Sequence, residues 1–97
     1  MPVYIILMNW TDQGIRNVKD NPKRMAQNKA LIEKAGGKWL GFYYTLGKYD
    51  MVGIIEGPGD ELAFSLLLAI GSGGNIRTTT LKAFPEAEGL KLIEKLP

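Results

Sequence analysis

At 97 residues the chain has the size of one domain, able to bury roughly two-thirds of its unfolded surface but too short for a large cavity-bearing enzyme core. It contains no cysteine and no histidine. This excludes a disulfide framework, a thiol nucleophile, sulfur-ligated zinc and iron-sulfur sites, the usual base of a serine nucleophile, and the proximal ligand of most haem proteins.

Catalysis, if there is any, is therefore restricted to carboxylate, tyrosine, lysine or substrate chemistry, and no cofactor is expected. The net charge of +2 is too mild to argue for nucleic acid, although seven of the twelve Lys and Arg residues lie between Arg16 and Lys38, against only Asp20 and Glu33 in that stretch. A solvated helix face is the plainer reading of that cluster. The longest uncharged run, Leu62 to Ile76, has 15 residues and is interrupted by Gly71, Gly73 and Gly74, whereas a spanning helix needs about 20 apolar residues. Neither a membrane span nor a signal peptide is expected, which makes the cytoplasm the expected location.

Val3 to Asn9 is rich in β-branched and aliphatic residues and reads as a first strand. Thr11 is placed to cap a short helical piece, with Asp12 at its positive end. Asn21-Pro22 reads as an N-cap followed by a proline at the first helical position, opening a helix from about Pro22 to Ala35 that Gly36-Gly37 ends. Its inward stripe is expected to be Met25, Asn28, Ile32 and Ala35, flanked by Leu31. Lys38 to Leu46 reads as a second strand dense in aromatic residues. Gly47-Lys48 has the chemistry of a tight hairpin turn into a third strand, Tyr49 to Glu56. Alternation along the second strand puts Trp39, Tyr43 and Thr45 on one face and Leu40, Phe42 and Tyr44 on the other. Gly57-Pro58-Gly59 breaks the chain before a helix from Asp60 to Ile70, closed by Gly71-Ser72-Gly73-Gly74. Asn75 to Phe84 is a fourth strand, and Glu86 to Leu96 is a short tail helix with Leu90, Ile93 and Leu96 along one side.

Strand, helix, strand, strand, helix, strand with right-handed crossovers predicts an α+β, ferredoxin-like domain: a four-stranded antiparallel sheet with both helices on one face. The other face would then be bare. Strands wet on one side should alternate, yet Val3-Tyr4-Ile5-Ile6-Leu7-Met8 and Met51-Val52-Gly53-Ile54-Ile55 are apolar on both sides. The expected solution is a homodimer that packs sheet against sheet.

For a site, Tyr49 and Asp50 lead: the phenol could donate a proton or hydrogen bond and Asp50 could orient it or accept a proton. The competing reading is that Tyr49 packs while Asp50 satisfies backbone amides at the strand start. Tyr43 beside Asn28 could line a pocket between sheet and helix, although core packing explains aromatic residues as well. Arg77, sharing a strand face with Thr79, could hold a carboxylate bidentately or pair with an acidic neighbour. The two glycine-rich loops make poor phosphate cradles, because one follows a helix at its negative end and the other has a proline and two acids at the positive end. RNA stacking lacks its platform, since the third strand is aliphatic.

The stretches Gly36-Gly37 to Phe42-Tyr43, Thr45-Leu46-Gly47-Lys48-Tyr49-Asp50, Glu56-Gly57-Pro58 and Gly74-Asn75-Ile76-Arg77-Thr78-Thr79-Thr80-Leu81, with Gly14 and Pro22-x-Arg24, resemble the GYD family, named for its Gly-x-Tyr-Asp element. The resemblance covers nearly the whole chain as a single domain and implies subunits that pair as a dimeric α+β barrel. It carries no catalytic residue with it. Two functions are left open: a binding or sensor module holding a small, partly apolar metabolite near Asn28, Tyr43, Tyr49, Asp50 and Arg77, and a cofactor-independent isomerase, lyase or oxygenase with Tyr49 and Asp50 as acid and base.

Overall fold

The computed structural model describes all 97 residues. The elements in chain order are β1 (Val3–Trp10), α1 (Asp12–Arg16), a 3-10 turn at Val18–Asp20, α2 (Asn21–Lys34), β2 (Lys38–Tyr44), β3 (Met51–Glu56), α3 (Asp60–Ser72), β4 (Ile76–Ala83) and α4 (Glu86–Glu94). The four strands form one antiparallel sheet in the order β2-β3-β1-β4, the ferredoxin-like arrangement expected from the sequence.

The two central strands alternate strictly. Tyr4, Ile6 and Met8 of β1 and Met51, Gly53 and Ile55 of β3 are buried, while their neighbours Val3, Ile5, Leu7, Val52 and Ile54 are only half-buried. The buried set meets Met25 and Ile32 of α2 and Ala63 and Leu66 of α3, which close the core. α2 therefore uses the inward stripe that its spacing predicts, with Ile32 fully buried and Asn28 half-buried at its side.

Several local expectations are corrected. Leu40 is an extra residue: Trp39 pairs with Ile55 and Gly41 with Ile54, so a β-bulge sits between them. One inserted residue reverses the alternation beyond it. Trp39 consequently joins Phe42 and Tyr44 on the helix side, with Trp39 and Phe42 edge to face at 6.1 Å, and Tyr43 faces the other way. Gly53 makes the arrangement work, because a Cβ there would lie 2.7 Å from the Trp39 ring. The tight turn at Gly47-Lys48 is a six-residue connection, residues 45–50, with Thr45 N–H donating to the Asp50 carbonyl at 2.9 Å and the Thr45 hydroxyl to the Tyr49 carbonyl at 2.5 Å. Tyr49 and Asp50 thus belong to a loop and not to β3.

Asn21 is not an N-cap either. It is the first residue of α2 and is 1% exposed. Its amide accepts from Trp10 Nε1 at 3.0 Å and donates to Tyr44 Oη at 3.0 Å, tying β1, α2 and β2 together. Burial suits the residue because the half-buried Trp10 indole N–H needs an acceptor and the amide needs partners of its own. Thr11 caps α1 as expected, accepting from Gly14 N–H at 3.1 Å and donating to the Gly74 carbonyl at 2.5 Å.

That cap works because Gly14 has no side chain: a Cβ there would stand 1.9 Å from the Asn75 carbonyl oxygen. Gly14→Ala must push α1 away from the loop after α3, and a urea melt is expected to show a loss of about 1–3 kcal/mol. Gly71→Ala, in α3 where nothing lies within 4 Å, serves as the control and is expected to gain about 0.5–1 kcal/mol.

Candidate functional site

The five residues singled out by sequence do not share one cavity. Asn28 lies on the helix side, its amide 4.0 Å from Met25 Sδ, and borders a cleft of about 170 Å³ between α2 and the end of α3, with Gln27, Arg24 and Asn75. Tyr43 is 60% exposed on the opposite face of the sheet. Arg77 is exposed on β4, level with Asn9 of β1. Tyr49 lies below the Lys48 ammonium, 5.7 Å from its ring centre.

Asp50 is engaged by the backbone. Its carboxylate accepts from Trp10 N–H at 2.9 Å and from the Asn9 amide at 3.5 Å, and Asn9 also donates to the Lys48 carbonyl at 2.7 Å. The Gly-x-Tyr-Asp element therefore acts as a clasp that pins the β2-β3 loop to the end of β1: Asp50 does take a backbone amide, but that of Trp10 and not one at the start of β3. Of the five, only Tyr49, Asp50 and, through Asn9, Arg77 gather at one end of the sheet.

A different polar cluster stands at the opposite end, where α3 begins. Tyr4, 4% exposed, donates from Oη to Asp60 Oδ1 at 2.5 Å, and Lys82 Nζ meets Asp60 Oδ2 at 2.9 Å in the chain's single ion pair. Burial, then the bond to the Asp60 carboxylate, pushes the Tyr4 pKa up to about 12. Hydrogen bonds from Tyr4 and then Lys82 hold the Asp60 carboxyl below its ordinary range. At neutral pH the phenol keeps its proton and the carboxylate keeps its charge, so the trio is a fixed clamp between β1, α3 and β4 and a poor acid-base pair. Sequence reading missed it because the partners are 56 and 22 positions apart, and Asp60 already had an explanation as the first acid of a helix. The one available signal was a phenol on the inward side of an otherwise aliphatic strand, which needs a polar partner.

Beyond these polar clusters two apolar areas stand out on the surface. The side of the sheet away from α2 and α3 carries Val3, Ile5, Leu7, Val52 and Ile54 in register, bordered by Leu81 and Tyr43. A groove between α3 and the edge strand β4 exposes Phe64 and Leu68. There is no group of three or more acidic residues with metal-ligand proximity, and no helix is long and apolar enough to cross a membrane.

A model of the GYD domain matches residues 4–93. The chain belongs to the GYD domain family. A relative from Thermus thermophilus, the "Glutamine synthetase and cystathionine beta-lyase binding protein", is 33% identical over 89 residues, covering 91% of this GYD chain and 94% of the relative. Two solved structures share the fold. One is the leucine response regulatory protein LrpA of Mycobacterium tuberculosis, at TM-score 0.64 and 18% identity over 87% of this chain. The other is FFRP-DM1, at TM-score 0.60 and 21% identity over 87% of this chain and 100% of its own. The GYD chain spans 51% of the LrpA chain, so that likeness concerns one part of the regulator and its fold alone.

The clamp makes a pH prediction with a definite sign. A phenol whose pKa is raised on folding contributes stability in full below its unfolded value near 10 and loses it as pH rises towards 12. Wild type is therefore expected to lose roughly 2 kcal/mol more between pH 10 and pH 12 than Tyr4→Phe, which costs about 1 kcal/mol at pH 7. Chemical denaturation across that range reads the difference, and parallel curves would mean that Tyr4 ionises as freely in the fold as outside it.

Proposed function

We propose that the protein is a binding module that works as a homodimer through the open face of its sheet and engages an enzyme of amino-acid metabolism, in the cytoplasm. The observation that carries the reading is the continuous apolar register Val3, Ile5, Leu7, Val52, Ile54 and Leu81 on a face that no element of the chain covers. Each side chain already has part of its area shielded by strand neighbours, so completing its burial is worth about 1 kcal/mol, and a self-complementary pairing counts every one twice. The relative named as a binding protein for glutamine synthetase and cystathionine β-lyase supports the choice of partner.

Dimerisation through the sheet leaves the helix layer outward. Arg16, Lys19, Lys23 and Lys34 are exposed there beside Asp12, Asp20 and Glu33, whereas Arg24 holds the Asn17 and Gly14 carbonyls and Lys29 sits over Trp39 and Phe42. The basic excess of that layer suits an acidic patch on a larger enzyme and makes the contact salt-sensitive. Ile54→Lys places a charge in the middle of the open face. Light scattering is expected to show a dimer for wild type and a folded monomer for the variant, and titration of purified glutamine synthetase and cystathionine β-lyase is expected to show binding that weakens with salt. A wild-type monomer, or failure to bind either enzyme, overturns the reading.

A second reading, a small-molecule sensor, is favoured by the cleft of about 170 Å³ in which Asn28, Gln27 and Asn75 present polar groups above Met25, Leu31 and Ile70. Native mass spectrometry of gently purified protein is expected to show added mass that Asn28→Leu removes. The same mass for the bare dimer in both proteins would exclude it.

A further inference from the structure

The tail helix has no place in its own domain. Leu90, Ile93 and Leu96, the stripe along one side of α4 and its exit, are 53%, 64% and 69% exposed, and no residue of the helix is buried. Pro85, with φ −52° and ψ 148°, carries the chain out of β4 in an extended conformation, and the molecule measures 52 Å along its longest axis against 31 and 18 Å. A helix of 9 residues standing free is not expected to persist, since isolated helices shorter than about 12–15 residues are marginal in water. An amphipathic helix of this length needs a surface to lie on.

The same chain carries a vacant surface of the right kind. Between α3 and β4 runs an apolar groove floored by Ala63, Leu67, Thr78 and Thr80 and walled by Phe64 and Leu68, which are 62% and 57% exposed. It starts at the Tyr4–Asp60–Lys82 clamp and continues past Leu68 to Arg77. Because β4 is an edge strand, the groove is open along that edge.

We propose that α4 is an exchange arm: in the dimer, the α4 of each copy lies in the groove between α3 and β4 of the other. The proposal rests on the sheet-to-sheet pairing above and extends it. Area argues for a second copy as occupant. Four strands about 4.8 Å apart and eight residues long make a footprint of roughly 19 by 26 Å, about 500 Å², short of the roughly 800 Å² per partner typical of stable complexes. Giving an arm and receiving one adds roughly 300 Å² to each copy, taking a helix as about 14 Å long and 10 Å wide.

The absence of cysteine makes the test clean. Ile93→Cys and Leu68→Cys chains, each full-length and purified separately, are mixed and treated with a short bis-maleimide. The expected product is the mixed cross-linked dimer in much higher yield than either variant gives alone, and the double variant is expected to link between chains. In parallel, L90S/I93S, which alters only exposed side chains, is expected to weaken the dimer at least tenfold by analytical ultracentrifugation while it remains a dimer at high concentration. Wild type that is dimeric, with the double variant linked only within one chain or with L90S/I93S dimerising as wild type does, overturns the arm and leaves the sheet pairing standing. Wild type that is monomeric overturns both.

Discussion

One constraint governs this molecule: its central strands are apolar on both sides, and the chain owns enough helix to cover one. β1 shows it residue by residue, with Tyr4, Ile6 and Met8 under α2 and α3 while Val3, Ile5 and Leu7 face outward. A strand meant to stay wet on that side would alternate polar residues there, as β4 does in part with Arg77 and Thr79. β1 and β3 do not. One face of the sheet is therefore left uncovered by the chain, and what lies against that face is what the proposed function turns on.

The polar residues that look chemical are spent on closing the fold. Asp50 takes the Trp10 amide, Asn21 bridges Trp10 and Tyr44, and Asp60 joins Tyr4 to Lys82. Each lies where two or three elements meet and where aromatic or backbone donors would otherwise be stranded away from water, so each removes a desolvation cost. The pKa directions agree: a phenol driven up and a carboxylate driven down are further from neutrality than either began, which locks protonation states in place.

The architecture was legible in the residues because it rests on periodicity and on breakers. The apolar, β-branched runs of β1 and β3, the stripe of α2 and the Gly-Pro punctuation all act locally, and together they leave one topology. What escaped depended on single insertions or distant partners. Leu40 adds one residue to β2, which no composition signal marks, and that exchanges the faces of Trp39 and Tyr43. The Tyr43–Asn28 pocket dissolved with it, because Tyr43 looks out through the open face while Asn28 stays with the helices. Gly47 suggested a two-residue turn, but Asp50 is drawn to β1, and the loop lengthens to let it reach. Tyr4 and Asp60 meet only after the whole sheet has formed.

These features bear on how such a domain recognises anything. The polar side chains at its element junctions are committed within the chain, and its clefts are open, so orientation-specific hydrogen bonding to a compact ligand has few buried groups to draw on. Apolar area and an exposed row of cations remain. Apolar area gives affinity without direction, and a cationic face gives direction without much affinity; an interface with another protein uses both, placing the first at its centre and the second at its rim. In a sheet-paired dimer the two components are already separated in that way, with Ile5 and Ile54 inside and Lys23 and Lys34 facing outward. The symmetry of the proposed dimer would present that outer face twice, on opposite sides, so that a partner enzyme could be engaged at two separate points.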